Sequence, residues 1–89
     1  MITSIILMKV KRKKVSEMAD QLAGVPEISE VYSVAGKYDL VAIVRVKNND
    51  DLASLVTGTL AKFKDIKKTD TMLAFRAYSR HDLESMFSF

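Results

Sequence analysis

The spacing of apolar residues predicts a strand and a helix in the first third of the chain. Residues 2–10 are rich in large aliphatic and β-branched side chains, which favour a strand. Residues 14–23 carry one apolar stripe at helical spacing, which predicts an amphipathic helix. That stripe consists of Val15, Met18, Ala19 and Leu22. Gly24 stands where a left-handed glycine often ends a helix, and Pro26 prevents the helix from resuming.

Two further strands are predicted in the middle of the chain, joined by a turn that contains glycine. Residues 29–35 alternate between apolar and polar side chains, as a half-buried strand does. Gly36 opens a turn after them, because glycine tolerates a positive φ angle. Residues 39–47 are apolar at both odd and even positions as far as Arg45, which predicts a third strand.

The last third of the chain predicts a helix, a strand and an amphipathic tail. Residues 48–51 supply N-cap candidates and acidic side chains for the first turn of a helix. The helix after them has Gly58 as its weakest position. Its apolar stripe consists of Leu52, Leu55, Val56, Leu60 and Phe63. Residues 69–78 predict a fourth strand.

We therefore predict a ligand-binding domain over residues 1–79 and a C-terminal amphipathic tail over residues 80–89. The tail is expected to dock as a short helix, either on the core of its own chain or on a neighbouring copy. Its apolar side chains are Leu83, Met86, Phe87 and Phe89.

The order βαββαβ predicts an α+β fold of the ferredoxin-like type, an antiparallel four-stranded sheet with both helices on one face. We expect the helix-covered side to carry Ile6, Met8, Ala42, Val44, Leu73 and Phe75. The opposite side would then carry Ile5, Leu7, Val41, Ile43, Met72 and Ala74. Such a face is normally polar where it meets water, and a contiguous apolar patch usually marks a partner. We predict that a second copy packs there with two-fold symmetry.

Composition excludes several classes of protein. The 89 residues are 48% hydrophobic and 28% charged, as in one globular domain, and no apolar run is long enough for a membrane span. The absence of cysteine excludes disulfides, a thiol nucleophile and a cysteine-based zinc site. One histidine, His81, argues against a histidine-built metal site or catalytic triad. We expect a cytoplasmic protein, since the charges at its start follow the apolar run, the reverse of a secretory signal. We also expect no metal or cofactor.

Two short polar segments are candidates for ligand contacts. In Gly36-Lys37-Tyr38-Asp39-Leu40, backbone N–H groups are able to face a small anion, and Asp39 is able to accept from a cation. An ordinary turn in which the aspartate bonds to backbone explains the same residues. Thr69 and Thr71 point to one side of the fourth strand, and the strand preference of threonine explains them equally.

Together these segments resemble the effector domain of the Lrp/AsnC transcription regulators, called the RAM domain. The resemblance rests on the G-x-Y-D-L turn at residues 36–40, the T-x-T at residues 69–71, and their order within residues 2–78. It implies a dimeric α+β barrel, formed by pairing the open sheet faces, and assembly of dimers into rings. Family regulators carry an N-terminal helix-turn-helix, so we expect a stand-alone RAM module that does not bind an operator directly.

The resemblance also implies a site for an amino acid between neighbouring dimers. Asp39 would engage the ammonium group, the turn would lend backbone groups, and Thr69 and Thr71 would lend hydroxyl groups. Leu52 and Leu73 match positions associated with sensing the ligand's side chain. The implied ligand-binding residues are Gly36, Tyr38, Asp39, Leu40, Leu52, Thr69, Thr71 and Leu73. The expected function is a non-enzymatic amino-acid sensor, acting alone or by co-assembly with a full-length regulator.

Two alternatives come from other features of the sequence. Lys9 and the lysine and arginine residues at positions 11–14 suit phosphate contacts, yet an RNA-recognition motif needs aromatic side chains on its central strands, and the third strand has none. We therefore interpret these residues as a solvated basic turn. Small monooxygenases and cyclases share the dimeric barrel. Their pockets need a buried histidine or acid, whereas His81 lies beside Asp82 in the tail.

Overall fold

The structure, a computed structural model, describes residues 1–78 and residue 80. Its strands are β1 (Ile2–Val10), β2 (Ile28–Ser33), β3 (Leu40–Val46) and β4 (Ile66–Leu73), and its α-helices are α1 (Val15–Ala23) and α2 (Asn49–Ser54). The sheet order is β2-β3-β1-β4, and every neighbouring pair is antiparallel. The predicted ferredoxin-like α+β fold is confirmed. His81 and the apolar tail residues lie outside the described residues.

The core fills the space between the helices and one face of the sheet. Alternate side chains of β1 and β3 are buried there, as the sequence pattern predicts: Ile6, Met8, Ala42 and Val44. Met18 and Leu22 of α1 and Leu55 and Leu60 of the second helical region pack against them. Ser4 is buried among these groups, and its Oγ donates to the carbonyl of Met72 at 2.7 Å. That bond satisfies a hydroxyl that would otherwise destabilise the core.

Helix α1 begins and ends without the usual caps. A 3-10 turn over Arg12–Lys14 leads into it, and no side chain caps its N-terminus. At the other end Gly24 has φ −84° and ψ −5°, so the expectation of a left-handed glycine is wrong. The chain instead continues the right-handed turn, because the Val25 N–H donates to the carbonyl of Leu22 at 3.0 Å. This turn brings Val25 into the core, where a left-handed residue would have redirected the chain.

Helix α2 starts as predicted and then changes its winding. Asn48 is the N-cap, and its Oδ1 accepts from the Asp51 N–H at 2.9 Å. A π-helical segment, Leu55–Thr59, and a 3-10 turn, Leu60–Lys62, follow and form what we call the α2 extension. In it the Leu60 N–H donates to the Leu55 carbonyl five residues back. The wider turn keeps both leucines on the buried side, and Gly58 lies within this segment.

The fourth strand differs most from its predicted bounds of residues 69–78. It begins three residues earlier, at Ile66, which pairs with Val10 after a register shift between Lys9 and Val10. It ends at Leu73, so Phe75, expected on the helix-covered side, lies beyond the strand and is fully exposed. Leu73 pairs with Ser4 on the expected side, yet it remains half exposed. The other strand ends differ from prediction by two residues or fewer.

Candidate functional site

The sheet face that carries no helix is apolar across its two central strands. We call this surface the open face: Ile5, Leu7, Val41, Ile43, Met72 and Ala74. Ile5 lies opposite both Ile43 and Met72, and Leu7 lies opposite Val41, so these side chains share one face as predicted. Ala74 lies just past the end of β4, where its N–H donates to the Thr3 carbonyl at 2.9 Å. The four aliphatic residues of β1 and β3 are only half-buried, and Met72 is 43% exposed.

Charged and polar side chains border the open face. Register places Glu30 opposite Ile43 and Tyr32 opposite Val41, both on the side of the open face. The Tyr32 hydroxyl donates to a carboxylate oxygen of Glu30. That hydrogen bond and the negative charge of Glu30 raise the pKa of the Tyr32 phenol, and nearby Arg45 partly opposes the effect. The border therefore presents both signs of charge around an apolar centre.

The turn between β2 and β3 reaches across the sheet. Gly36 has φ +111°, a conformation that L side chains rarely adopt, which explains glycine at this position. From the same turn the Tyr38 hydroxyl lies 3.3 Å from Oδ2 of Asp70, on β4. In the sheet, β1 lies between β3, which follows this turn, and β4. The turn is thus held against the far edge strand over the end of β1.

Asp39 binds the end of β1 through both its backbone and its side chain. Its N–H donates to the Met8 carbonyl at 2.9 Å, and its Oδ2 accepts from the Val10 N–H at 2.8 Å. The Asp39 N–H is therefore not free to face a small anion, as the explanation of these residues by an ordinary turn implies. Lys9 Nζ lies 3.9 Å from the same Oδ2. No donor from the described residues reaches Oδ1, and the side chain is 26% exposed.

The remaining predicted ligand residues lie elsewhere in the subunit. Thr69 and Thr71 pair with Met8 and Ile6, which puts both hydroxyls on the helix-covered side, as predicted for neighbours two apart. Asp70, which contacts Tyr38, points to the opposite side. Leu40 is fully buried in the core, and Leu52 packs partly buried against it. One subunit therefore does not bring all eight predicted residues to one surface.

A groove of about 230 Å³ lies between the α2 extension and the start of β4. Its walls are Val56, Leu60, Ala61, Phe63, Ile66, Lys67, Lys68 and Thr69. Of the predicted ligand residues, Thr69 lies in it. The sequence pattern does not predict this groove, because its walls include residues at the start of β4, which begins earlier than predicted. A second cavity of about 220 Å³, which includes Thr3 and Ala74, lies at the far end of the sheet.

Residues 1–78 and 80 contain no group of three or more acidic or histidine side chains placed to hold a metal ion. Within the same residues, no helix combines the length and apolar character needed to cross a membrane.

Comparison with known proteins gives a consistent family. Residues 3–83 match the Lrp/AsnC ligand binding domain. The HTH-type transcriptional regulator FL11 of Pyrococcus horikoshii is 38% identical over 73 residues, which are 82% of this chain and 48% of the regulator. The chain thus spans about half the length of the curated relatives it matches.

Some solved structures match over nearly their whole length. TTHA0845 from Thermus thermophilus is 41% identical with a TM-score of 0.83, covering 90% of this chain and 100% of that one. The hypothetical protein PHS023 from Pyrococcus horikoshii is 34% identical with a TM-score of 0.81, covering 91% and 98%.

Proposed function

This chain belongs to the Lrp/AsnC ligand-binding domain family, and from that premise we propose that it is a non-enzymatic module that binds an amino acid and self-associates. A regulatory effector role follows from the family and from relatives named as transcriptional regulators. Binding of an amino acid and pairing of open faces are the steps beyond that role. The observation that carries the proposal is the open face, since its apolar centre has no covering element in the described chain.

Pairing of two open faces would remove this apolar centre from water. A domain of this size buries only about 60–65% of the surface of its unfolded chain, so association adds burial that one subunit lacks. Each Å² of apolar surface removed from water contributes roughly 25 cal/mol, which favours a contact built on the central strands. The border of the open face carries both positive and negative side chains. A two-fold axis is therefore able to place a positive side chain of one subunit beside a negative one of the other. The proposed assembly unit is therefore a symmetric dimer.

Asp39 and Lys9 together suit the two charges of an amino acid. The carboxylate of Asp39 keeps Oδ1 without a donor from the described residues and is able to accept from a ligand's ammonium group. Lys9, 49% exposed and 3.9 Å from Oδ2, is placed to meet the ligand's carboxylate. Thr69 and Thr71 lie on the helix-covered side of the sheet. Their hydroxyls would therefore come from a neighbouring subunit, and the site would be complete only in the assembly.

The test is a thermal-shift screen of the twenty amino acids, followed by calorimetric titration of those that raise the melting temperature. Asp39→Asn keeps an oxygen acceptor for the Val10 N–H and removes the negative charge. We expect it to abolish the ligand-induced shift while the assembly mass stays the same. Asp20→Asn is the matched control, because Asp20 is exposed on α1. It should keep the full shift.

Each other outcome of this screen contradicts a defined part of the proposal. A full shift in the Asp39→Asn protein would show that the site lies elsewhere. If none of the twenty amino acids stabilises the wild-type chain, amino-acid sensing is wrong.

Co-assembly with a full-length regulator would use the same open face. The chain aligns with about half of FL11, so a regulator of that type would present a matching sheet face. Native mass spectrometry of the chain co-expressed with such a regulator should detect a mixed dimer. Exclusive formation of the two homo-oligomers would contradict co-assembly.

A further inference from the structure

Positive charge is concentrated in two short segments that lie far apart in the sequence. Residues 11–14 and 62–68 contain eight lysine and arginine residues and one carboxylate, a net charge of +7. The rest of the chain holds six lysine and arginine residues against ten carboxylates, a net charge of −4. The overall charge of +3 therefore hides a strong internal asymmetry.

The fold brings the two segments together at one end of the sheet, where they form a surface that includes both faces of β4, since Lys67 and Lys68 are neighbours on that strand. The Lys11 N–H donates to the carbonyl of Asp65 at 2.9 Å, and Val10 pairs with Ile66 immediately beside that bond. We call this surface the basic end: Lys11, Arg12, Lys13, Lys14, Lys62, Lys64, Lys67 and Lys68. Lys14 is half-buried and the other seven are exposed.

Carboxylates neutralise little of this charge. In residues 1–78 and 80, the ion pairs within 4 Å are Lys14 with Glu17 and Lys9 with Asp39. Seven of the eight cations thus have no described carboxylate partner. Lys68 also lies directly opposite Lys9 across the strand pair, an arrangement of like charges that destabilises a sheet. A ligand with closely spaced negative charges would relieve this repulsion.

We propose that the basic end binds the phosphate backbone of duplex nucleic acid without reading its sequence. Phosphate contacts need only a cluster of lysine and arginine side chains, and this surface supplies one. None of the eight basic-end residues belongs to the proposed amino-acid site, although Lys9, which faces Lys68, does. The sequence pattern alone favours a solvated basic turn at Lys9 and residues 11–14, whereas the fold adds the second basic segment to the first.

The apolar residues of the two segments favour a duplex over other polyanions. They are Phe63 and Ile66, both partly buried against the core. Stacking of unpaired bases needs exposed aromatic rings, which these segments lack, so single strands are disfavoured. Binding to a lipid surface is strengthened by apolar side chains that insert among the headgroups, and these segments expose none.

The first experiment measures fluorescence anisotropy of a labelled random-sequence DNA duplex against the full chain as salt is raised. Neutralisation of about four phosphates predicts a loss of affinity on the order of 100-fold between 50 and 200 mM salt. The same sequence as a single strand should bind more weakly. Absence of duplex binding at low salt, or tighter binding of the single strand, would overturn the proposal. Vesicles containing phosphatidylserine provide the lipid comparison, and retention on them without duplex binding would also overturn it.

Charge-reversal variants test whether the two segments act together. Lys13→Glu with Lys64→Glu changes one exposed residue in each segment and should weaken duplex binding at least about tenfold. Lys47→Glu with Arg76→Glu makes the same change in net charge at exposed positions near the opposite end of the sheet. That control should stay within about threefold of the wild-type affinity.

Two results would contradict the joint surface. Equal losses in the two double variants would mean that overall charge alone governs binding. Wild-type affinity in the single Lys64→Glu variant would mean that the second segment makes no contact. Circular dichroism on each variant shows whether a loss of affinity comes from unfolding instead.

Discussion

The two faces of the sheet are built from neighbouring residues of the same strands, yet they differ in what covers them. Ile6 and Val44 are fully buried beneath the helices, whereas Ile5 and Ile43, one position away, are only half-buried. Both sets are aliphatic, so chemistry alone does not separate them. The difference lies in the helical stripes, which face one side only. Within one strand, alternate residues therefore contribute to the covered core or to the open face, through which we propose that subunits associate.

The largest expected effect is on the covered face. Ile6→Ala removes a fully buried side chain and leaves a cavity, which should lower the free energy of unfolding by about 4 kcal/mol. Urea denaturation followed by circular dichroism measures this change. Ile6→Val is the matched control and should cost about 1 kcal/mol. Equal losses from both variants would show that the covered face is not tightly packed.

The next effect tests the open face. In a dimer paired through this face, Ile43→Asp would bury an unpartnered carboxylate near the centre of the contact, and we expect a cost of about 3 kcal/mol in association, more than a hundredfold in Kd. Light scattering after size exclusion should report a dimer or larger for the wild type and a monomer for the variant. Ile43→Val should keep the wild-type mass. An unchanged mass for the Ile43→Asp protein would refute pairing through this face.

A smaller effect concerns the helix that helps to cover one face. Asn48→Ala removes the acceptor of the Asp51 N–H and should lower stability by about 1 kcal/mol, because an N-terminal N–H of α2 then loses its partner. Asn48→Asp keeps that acceptor and should retain stability near the wild-type value. Thermal melts of the two variants provide the comparison. Equal melting temperatures would indicate that the cap contributes nothing.

The smallest effect is a titration at the border of the open face. Glu30 raises the pKa of Tyr32, so the neutral phenol is favoured in the folded chain. The contact stabilises the fold below the ordinary tyrosine pKa of about 10 and is lost as pH rises through the raised pKa. NMR of ring-labelled tyrosine should find ionisation of Tyr32 at lower pH in the Glu30→Gln variant than in the wild type. The same titration midpoint in both proteins would contradict this pairing.

The part of the covered core that comes from β1, β3 and the helices could be predicted residue by residue, because burial there follows the strand and helix periods directly, whereas Leu73 and Phe75, expected on the covered side, are exposed. Alternation places Met8 and Ala42 correctly, and helical spacing does the same for Met18 and Leu22. The differences from prediction at Gly24 and in the π-helical segment have another cause. Gly24 and the π-helical segment depend on how a helix end meets the core, which the periodicity of one element does not contain.

The candidate site was harder to predict, because it depends on register between distant segments. The pairing of β1 with β4 shifts after Lys9, and both the groove beside Thr69 and the contact between Lys11 and Asp65 lie next to this point. The sequence pattern gives each strand two faces without giving its alignment to the next strand. The bonds of Asp39 to β1 show the same limit. A short motif identified the residue, and only the assembled sheet reveals what its atoms contact.

The outer strands of the sheet affect how far association can proceed. In the described chain β2 and β4 are the edge strands of the sheet. Each has one row of unpaired backbone N–H and C=O groups that can pair with another strand. β4 carries Lys67, Lys68 and Asp70 along its length, and β2 carries Glu30. Charged side chains at such margins oppose the strand-by-strand addition that leads to fibrils. The edges thereby disfavour open-ended polymers, which agrees with the proposed use of the open face for closed assemblies.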